Sequence, residues 1–428
     1  MRLTDAEMTQ PIAPTQILRY PDFCFLLIGR FLATVAMLTN SVTLGWQVYS
    51  VARLDHSVAQ SSFLVGMIGL VQFLPMFSLV LLAGETADRY DRRKILFACI
   101  ALQLLCSAAL ALIALSDRPS LIAVFTVAGL FGVARAFTMP AGAALGPMLV
   151  PLEVLPRAVG WNSLSMQTGM VVGPWLGGVL CAVSVPVSYS TAGVLYFCAG
   201  AVLLFIRANT KPDHAGGARL SLIAEGLAYV WSNKVVFGAI SLDLFAVLLG
   251  GVTALLPVFA RDILHIGADG FGLLRSAPAI GGGLMALTLS LRPIHRDAGF
   301  WMLWAVAVYG VATVVFAVST WVWVSMVALS VLGAADAVSV FVRQSLVQIL
   351  TPDAMRGRVS AVSSLFISAS NELGEFESGV AARILGPIGA AIFGGVGSVV
   401  LTGLWAHLFP SLRRAHLGGH ASEEARVP

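Results

Sequence analysis

The chain has 428 residues, of which 58% are hydrophobic and only 11% are charged, and its formal net charge is +4. Soluble globular domains are about 45–50% apolar and about 25% charged, so this composition excludes that class and indicates an integral membrane protein. The apolar runs are continuous rather than alternating, which excludes a membrane β-barrel and predicts an all-α membrane protein. Cysteines and histidines are scattered without disulfide or metal-site spacing, so no metal and no cofactor is expected.

Twelve apolar runs are long enough to cross a bilayer as helices, for which about 20 residues suffice. The longer runs allow tilt or projection beyond the hydrocarbon region. The predicted spans are residues 22–50, 61–83, 95–115, 119–149, 158–182, 186–207, 235–261, 268–291, 299–319, 321–349, 358–384 and 387–410.

The longest connection divides the spans into two sets of six. It is polar at first and then becomes amphipathic, with apolar residues at helical spacing between Leu220 and Trp231. This pattern predicts a short interfacial helix that bridges two halves. The expected organisation is an N-terminal six-helix half (1–207), a cytoplasmic connecting loop (208–233), a C-terminal six-helix half (234–412) and a disordered tail (413–428).

The two halves resemble each other at one constant shift. Gly132 and Gly333 align at a shift of 201 residues, and the segments around them are similar. The same shift aligns Pro151 with Pro352, Arg157 with Arg358, Gly173 with Gly374 and Gly178 with Gly379. We therefore predict two six-helix repeats with a substrate cavity between them near the bilayer midplane.

Loop charges predict the orientation of the helices. Most of the lysines and arginines outside the spans fall on one side, whereas the other side holds Arg53, Arg118, Arg261 and Arg383. Cytoplasmic loops carry an excess of these residues, so both termini are expected in the cytoplasm.

The most highly charged loop, residues 84–94 between the second and third spans, reads Gly-Glu-Thr-Ala-Asp-Arg-Tyr-Asp-Arg-Arg-Lys. It resembles the G-x-x-x-D-R-x-G-R-R signature of the major facilitator superfamily. Asp91 stands where a second glycine is usual, and an ordinary charged loop is the alternative interpretation. The resemblance implies twelve transmembrane helices in two six-helix repeats, and a gating loop whose aspartate latches the halves. The matching residues are Gly84, Asp88, Arg89, Arg92 and Arg93.

The fifth span carries a glycine-rich motif that resembles the G-x-x-x-G-P-x-x-G-G pattern of exporters working by antiport. Its glycines at every fourth position make a small-residue face for close helix packing, and its proline removes one helix hydrogen bond. A tight helix crossing without a transport role is the alternative. The residues are Gly169, Gly173, Pro174, Gly177 and Gly178.

Three carboxylates, Glu372, Glu375 and Glu377, lie within the eleventh span. A charge at bilayer depth costs at least about 2.5–3.5 kcal/mol, so such residues are candidates for function. Helical spacing places Glu372 and Glu375 on neighbouring faces and Glu377 elsewhere. We predict that this pair carries the coupling proton; structural pairing with an arginine is the alternative, with Arg30, Arg135, Arg343 and Arg383 available.

Other charges inside the spans are further candidates for proton coupling. Arg135 in the fourth span and Asp336 in the tenth occupy equivalent repeat positions. Asp243 and Arg30 each lie about nine residues from the predicted cytoplasmic end of a span, within reach of water.

Further stretches, including Trp46–Tyr49, Thr351–Arg358 and Asn371–Glu377, are similar to the enterobactin-exporter-like branch of the superfamily. That resemblance implies a monomeric transporter in the bacterial inner membrane that exports siderophores or other amphipathic small molecules by proton antiport. Its partners would be the substrate, protons and the bilayer, without nucleic acid. An importer of the same fold and, less strongly, a non-transporting sensor remain alternatives. The sequence shows no cluster of catalytic residues of the kind an enzyme needs, so an enzyme is not expected. It also contains no nucleotide-binding loop, so direct use of ATP is not expected.

Overall fold

A computed structural model describes residues 19–151, 153–211, 219–294 and 296–417. Within these ranges the regular structure is helical, as the apolar runs predict. Residues 418–428 of the predicted disordered tail (413–428) and most of the polar stretch after Lys211 lie outside the described residues. Residues 413–417 of that tail are described, and the Gly299 N–H donates a 3.2 Å hydrogen bond to the Ala415 carbonyl.

The N-terminal half consists of six long helices joined by short turns. They are α1 (Pro21–Asp55), α2 (Val58–Arg89), α3 (Arg92–Ala114), α4 (Leu121–Met148), α5 (Leu155–Val183) and α6 (Val185–Leu203). Side-chain caps start several of them, including Ser57 at α2, Ser120 at α4 and Ser184 at α6. Each cap satisfies a backbone N–H that the first helical turn leaves without a partner.

The connecting stretch contains a helix where one was predicted, α7 (Arg219–Ser232). Glu225 on α7 pairs with Arg358, and the Tyr229 hydroxyl donates a hydrogen bond of 2.5 Å to the Leu350 carbonyl. These contacts hold the connecting helix against the C-terminal half.

The C-terminal half contains six spanning segments, and the first of them, α8, is irregular. It is α-helical over Lys234–Leu249 and continues through a 3₁₀ segment, Gly251–Leu255, to a π-helical turn, Phe259–Ile263. The others are α9 (Ala268–Leu291), α10 (Ala298–Val318), α11 (Val322–Leu350), α12 (353–385) and α13 (387–408). A four-residue helix, α14 (Pro410–Arg413), follows.

The boundary between α12 and α13 is a sharp bend at Gly386, where φ is +74°. Pro387 follows it and cannot continue the hydrogen-bond ladder of the preceding helix. A straight helix over all 56 residues would be about 84 Å long, far beyond a hydrocarbon core of about 30 Å. The bend makes two spans, and the described residues thus form the expected twelve.

The expectation of a loop over residues 84–94 is wrong. Helix α2 continues to Arg89 and α3 begins at Arg92, so only Tyr90 and Asp91 separate them. The Asp91 carboxylate accepts a hydrogen bond of 3.0 Å from the Arg93 N–H and caps α3. Charged residues end the apolar span but do not end the helix, because a helix continues into water at little cost when its ends are capped.

Each half is held together by an apolar core and by buried polar contacts between helices. In the N-terminal half, Asn40 donates a 2.7 Å hydrogen bond to Ser107, and the Tyr189 hydroxyl donates one of 2.8 Å to Gln47. In the C-terminal half, Phe259 and Phe316 pack with ring centroids 4.5 Å apart. The hydrogen bonds between helices contribute to the association of the helices in the membrane, because lipid tails are as apolar as the helix surfaces and do not drive the helices together.

Candidate functional site between the two halves

The two halves meet along two helix pairs, α2 with α12 and α5 with α9, through backbone contacts at glycines. A Cβ atom on Gly66 would lie 2.7 Å from the Gly379 Cα, and one on Gly178 would lie 2.6 Å from the Gly272 Cα. Both crossings lie toward the end of the bundle opposite the charged stretch 84–94. Small residues permit this close approach, which closes the bundle at that end.

The glycine motif of α5 packs on two neighbours at once. Gly169, Gly173 and Gly177 face α1, where a Cβ on Gly173 would lie 2.7 Å from the Leu38 Cβ. Gly178 instead faces α9 of the other half. Pro174 is buried within the same stretch. The motif therefore couples α1 to the interface between the halves.

A polar latch reinforces the closed end. The Tyr49 hydroxyl on α1 donates a hydrogen bond to Asp262 on α8, and the Arg53 Nε lies 3.4 Å from the same carboxylate. Nearby, the Trp46 ring stacks on Phe271 of α9 with centroids 5.9 Å apart. These contacts join the halves, and we refer to Tyr49, Arg53 and Asp262 as the outer latch.

An ion pair links the halves deeper in the bundle. The Arg135 Nη1 on α4 lies 2.5 Å from the Glu372 Oε1 on α12, and the same nitrogen donates a 3.2 Å hydrogen bond to the Gln72 side chain. Glu372 is only 7% exposed. Of the arginines that the sequence offered as partners, the fold thus selects Arg135, and the link crosses from one half to the other.

The other carboxylates of α12 have different surroundings. Glu375 lies 3.2 Å from the Arg275 Nη2 on α9, and the Arg275 Nη1 donates to the Thr253 carbonyl at 2.7 Å. This network remains within the C-terminal half. Glu377 accepts a long hydrogen bond of 3.5 Å from the hydroxyl of its neighbour, Ser378. The helical spacing had separated Glu377 from the other two, and the three carboxylates do have separate partners.

Asp243, Asp336 and Arg343 gather inside the C-terminal half. The Arg343 Nη2 lies 3.3 Å from the Asp243 Oδ2, with both side chains almost fully buried. Asp336 and Ser339 line a void of about 10 Å³ beside them. The expectation that water reaches Asp243 from the span end is wrong in this conformation, because Asp243 is only 5% exposed.

Arg30 lines the wall of a cavity of about 300 Å³ in the N-terminal half. Its Nη1 donates a 2.5 Å hydrogen bond to Asn162, and its Nη2 donates to the Gly142 carbonyl. An arginine stays protonated in proteins, so Arg30 does not itself carry a proton. Arg30, which the sequence analysis named as a candidate for proton coupling, thus lies in the wall of a cavity in the N-terminal half and away from the carboxylates of α12.

The basic residues of the signature stretch bind at helix ends. Arg89 pairs with Glu85 at 2.6 Å, and the Arg93 Nη2 donates to the Leu204 carbonyl at 2.8 Å. The Arg92 Nη1 lies 2.7 Å from the Met148 sulfur. The contacts of Arg92 and Arg93 join α3 to α4 and to the end of α6, whereas the Arg89 pair lies within α2. Gly84 is buried within α2.

Asp91, the departure from the usual signature, has a structural role. The Thr210 hydroxyl donates to it at 2.5 Å, which joins the start of α3 to the chain after α6. Burial opposes ionisation of Asp91, but hydrogen bonds from Thr210 and from the Arg93 and Lys94 N–H groups outweigh burial, and the pKa of the carboxyl is lowered. Asp91 thus acts as a charged cap at this site.

Sequence reasoning missed three residues of the site. Asp262 follows Arg261 at the end of a span, where a charged residue is ordinary and gives no signal. Gln72 is a single uncharged polar residue within an apolar run and gives no signal either. Arg275 could have been found, because an arginine within a span calls for a partner by the same rule that singled out Glu372.

Twelve spanning helices among the described residues, in two halves joined by the Arg135–Glu372 ion pair, are the arrangement of a transporter of the major facilitator type. A family model described as transmembrane secretion effector, within this superfamily, matches residues 9–422. The chain belongs to that family, and the superfamily expected from the signature motif is confirmed.

Bacterial proteins named as enterobactin exporters are similar over nearly the whole chain. The enterobactin exporter EntS of Citrobacter koseri is 26% identical over 397 residues, covering 92% of this chain and 93% of the relative. EntS of Shigella boydii serotype 4 is 25% identical over 396 residues, with the same coverage of each chain. The sequence motifs indicated a resemblance to the enterobactin-exporter-like branch, and these relatives are named as enterobactin exporters.

Solved structures confirm the fold. A bacterial homologue of the human lysosomal transporter Spinster, in an inward-facing and unoccupied conformation, superposes with a TM-score of 0.68 at 14% identity, over 93% of this chain and 98% of that one. A D-xylose–proton symporter superposes with a TM-score of 0.68 at 14% identity, over 94% and 99%. The predicted all-α fold agrees with these neighbours.

Proposed function

We propose that this protein is a secondary exporter of amphipathic small molecules, such as siderophores, that uses proton antiport and rocking of its two halves. The observation that carries the proposal is the ion pair between Arg135 and Glu372, which joins the halves at the depth of the bilayer. Similarity to the EntS exporters supports the direction and the substrate class.

The ion pair links a protonation event to the movement of the halves. Rocking moves α4 relative to α12, because they belong to different halves, and the pair opposes their separation while Glu372 is ionised. A proton on Glu372 removes the attraction between two opposite charges and leaves at most a hydrogen bond from the Arg135 guanidinium to an uncharged carboxyl group, which is weaker. Protonation and conformation are therefore coupled in both directions, as antiport requires.

We propose that the described conformation faces the cytoplasm. The positive-inside bias supports cytoplasmic termini and a bacterial inner-membrane location. In that orientation the outer latch lies on the external side, and the cavity beside Arg30 lies toward the cytoplasm. Reporter fusions after Lys94 and Lys211 should then report a cytoplasmic position, and a fusion near Arg118 an external one. An external signal after Lys94 would contradict the orientation.

The decisive experiment is transport driven by a pH gradient in proteoliposomes, with enterobactin as the test substrate. We expect Glu372→Gln and Glu375→Gln to abolish coupled transport while allowing downhill exchange. Glutamine has a shape similar to that of glutamate but cannot bind and release a proton during the transport cycle. Glu377→Gln is the matched control on the same helix and should matter much less.

Three outcomes would count against parts of the proposal. Full coupled transport in Glu372→Gln and Glu375→Gln would make these residues structural, and Asp336 or Asp243 would become the better candidates. Accumulation of enterobactin in right-side-out vesicles would favour an importer. Absence of any enterobactin movement by the wild type, with a broader panel of siderophore precursors and drugs also inactive, would contradict transport of this class.

A further inference from the structure

The cavity in the N-terminal half has an apolar wall with a few polar groups. It is lined by α1, α3, α4, α5 and the end of α6, and three methionines, Met37, Met139 and Met166, contribute to the wall. Methionine side chains adapt to irregular ligands. Met139 also lies 4.0 Å from Ser368 on α12, so the cavity borders the interface between the halves.

Arg30 has hydrogen-bonding capacity that the described residues around the cavity do not use. None of the carboxylates in the described part of the chain forms an ion pair with Arg30. Its guanidinium has five N–H donors, and Asn162 and Gly142 accept one hydrogen bond each. Gln103 is 4% exposed, and its side chain lines the cavity.

Ser165 adds a third polar group to the same wall. Its hydroxyl is buried and has no hydrogen-bond partner among the described residues. Buried polar groups without partners are rare in folded proteins, and each one asks for an explanation. A ligand with acceptor oxygens would satisfy Arg30 and Ser165 together.

We infer that this cavity binds an organic anion, with its charged oxygens on Arg30 and its apolar part among the methionines. An apolar cavity of about 150 Å³ holds a benzene ring. A cavity of about 300 Å³ therefore admits a bicyclic aromatic group or a ring with an acidic substituent. This inference rests on the proposed function, because the bound anion would be the exported substrate or an acidic group of that substrate.

The test measures binding without transport, on the full-length protein in lipid nanodiscs. Two probes of nearly equal shape are compared by isothermal titration calorimetry: 2-naphthoate, an anion, and 2-naphthamide, which is neutral. Empty nanodiscs give the partitioning background. We expect wild type to bind 2-naphthoate about ten- to hundredfold more tightly than 2-naphthamide, as a charge-assisted hydrogen bond in a sheltered site predicts.

Substitutions then assign the preference to Arg30. Arg30→Gln should reduce 2-naphthoate affinity by the same factor and leave 2-naphthamide affinity within about twofold, whereas Arg30→Lys should keep part of the preference. Arg118→Gln, which removes an exposed charge far from the cavity, is the matched control and should change neither affinity. Met166→Trp fills the cavity and should weaken both probes, which tests the site even if Arg30→Gln fails to fold.

Several results would overturn the inference: equal wild-type affinity for the two probes, no saturable binding of 2-naphthoate, a preference that persists in Arg30→Gln, or normal binding in Met166→Trp. The two proposals fail separately. Anion binding without any transport would contradict the proposed function alone, and enterobactin export that Arg30→Gln leaves unchanged would contradict the assignment of the cavity to the substrate.

Discussion

Replacing Tyr49 with phenylalanine should loosen the closed end of the bundle without disturbing the packing of either half. The change removes the hydroxyl that donates to Asp262 across the interface. A hydrogen bond to a charged group contributes about 1.5–3 kcal/mol. The remaining contact, Arg53 with Asp262, involves side chains that are 29% and 26% exposed, and such a pair contributes at most about 1 kcal/mol.

The expected shift follows from these magnitudes. Loss of about 1.5 kcal/mol, the lower figure because the latch is partly exposed, changes the ratio of closed to open conformers by about tenfold. The assay is double electron–electron resonance, which measures the distance between two spin labels. The labels are placed at Ser57, just after α1, and at Gly267, just before α9, in a variant without the native cysteines. We expect a longer-distance population to grow in Tyr49→Phe.

The matched control is Tyr189→Phe, which also removes a tyrosine hydroxyl, but one that bonds to Gln47 within the N-terminal half. It should reduce thermal stability without lengthening the distance between the labels. If Tyr49→Phe leaves the distance distribution as in wild type, or if Tyr189→Phe opens the bundle equally, the latch does not control closure.

Three further predictions concern α5 and the signature stretch. Gly173→Leu should abolish transport in proteoliposomes while the protein still inserts, because its Cβ would lie 2.7 Å from the Leu38 Cβ; wild-type activity would refute the packing argument. Asp88→Asn should slow maximal transport with little change in substrate affinity, and the reverse pattern would contradict gating. Asp91→Ala should lower stability at pH 7 by about 1 kcal/mol through loss of the α3 cap. Because the folded pKa of Asp91 is lowered, the stabilisation by its charge is complete above the unfolded pKa of about 3.9 and is lost as pH falls through the lower folded pKa. The difference in melting temperature between wild type and Asp91→Ala should therefore shrink as the pH is lowered through this range.

The sequence by itself determined the class, the number of spans and most of their limits. Hydrocarbon cannot satisfy backbone polar groups, so every long apolar run must become a helix whatever its neighbours are. This local rule placed α9 at residues 268–291, and the structure has Ala268–Leu291. The same rule failed at Gly84–Arg89, because hydropathy reports where the apolar segment ends and not where the helix ends.

Only the tertiary structure decided which charges meet. Arg135 and Glu372 are 237 residues apart in sequence, and nothing local distinguished Arg135 from Arg30 or Arg343 as the partner. The packing of α2 against both α4 and α12 brings the first pair together, while Arg343 is held beside Asp243 within one half and Arg30 lines a separate cavity. Helix formation depends on hydrogen bonds between near neighbours in the chain, whereas ion pairing depends on which helix faces touch, and that is settled by the packing of small residues across the whole bundle.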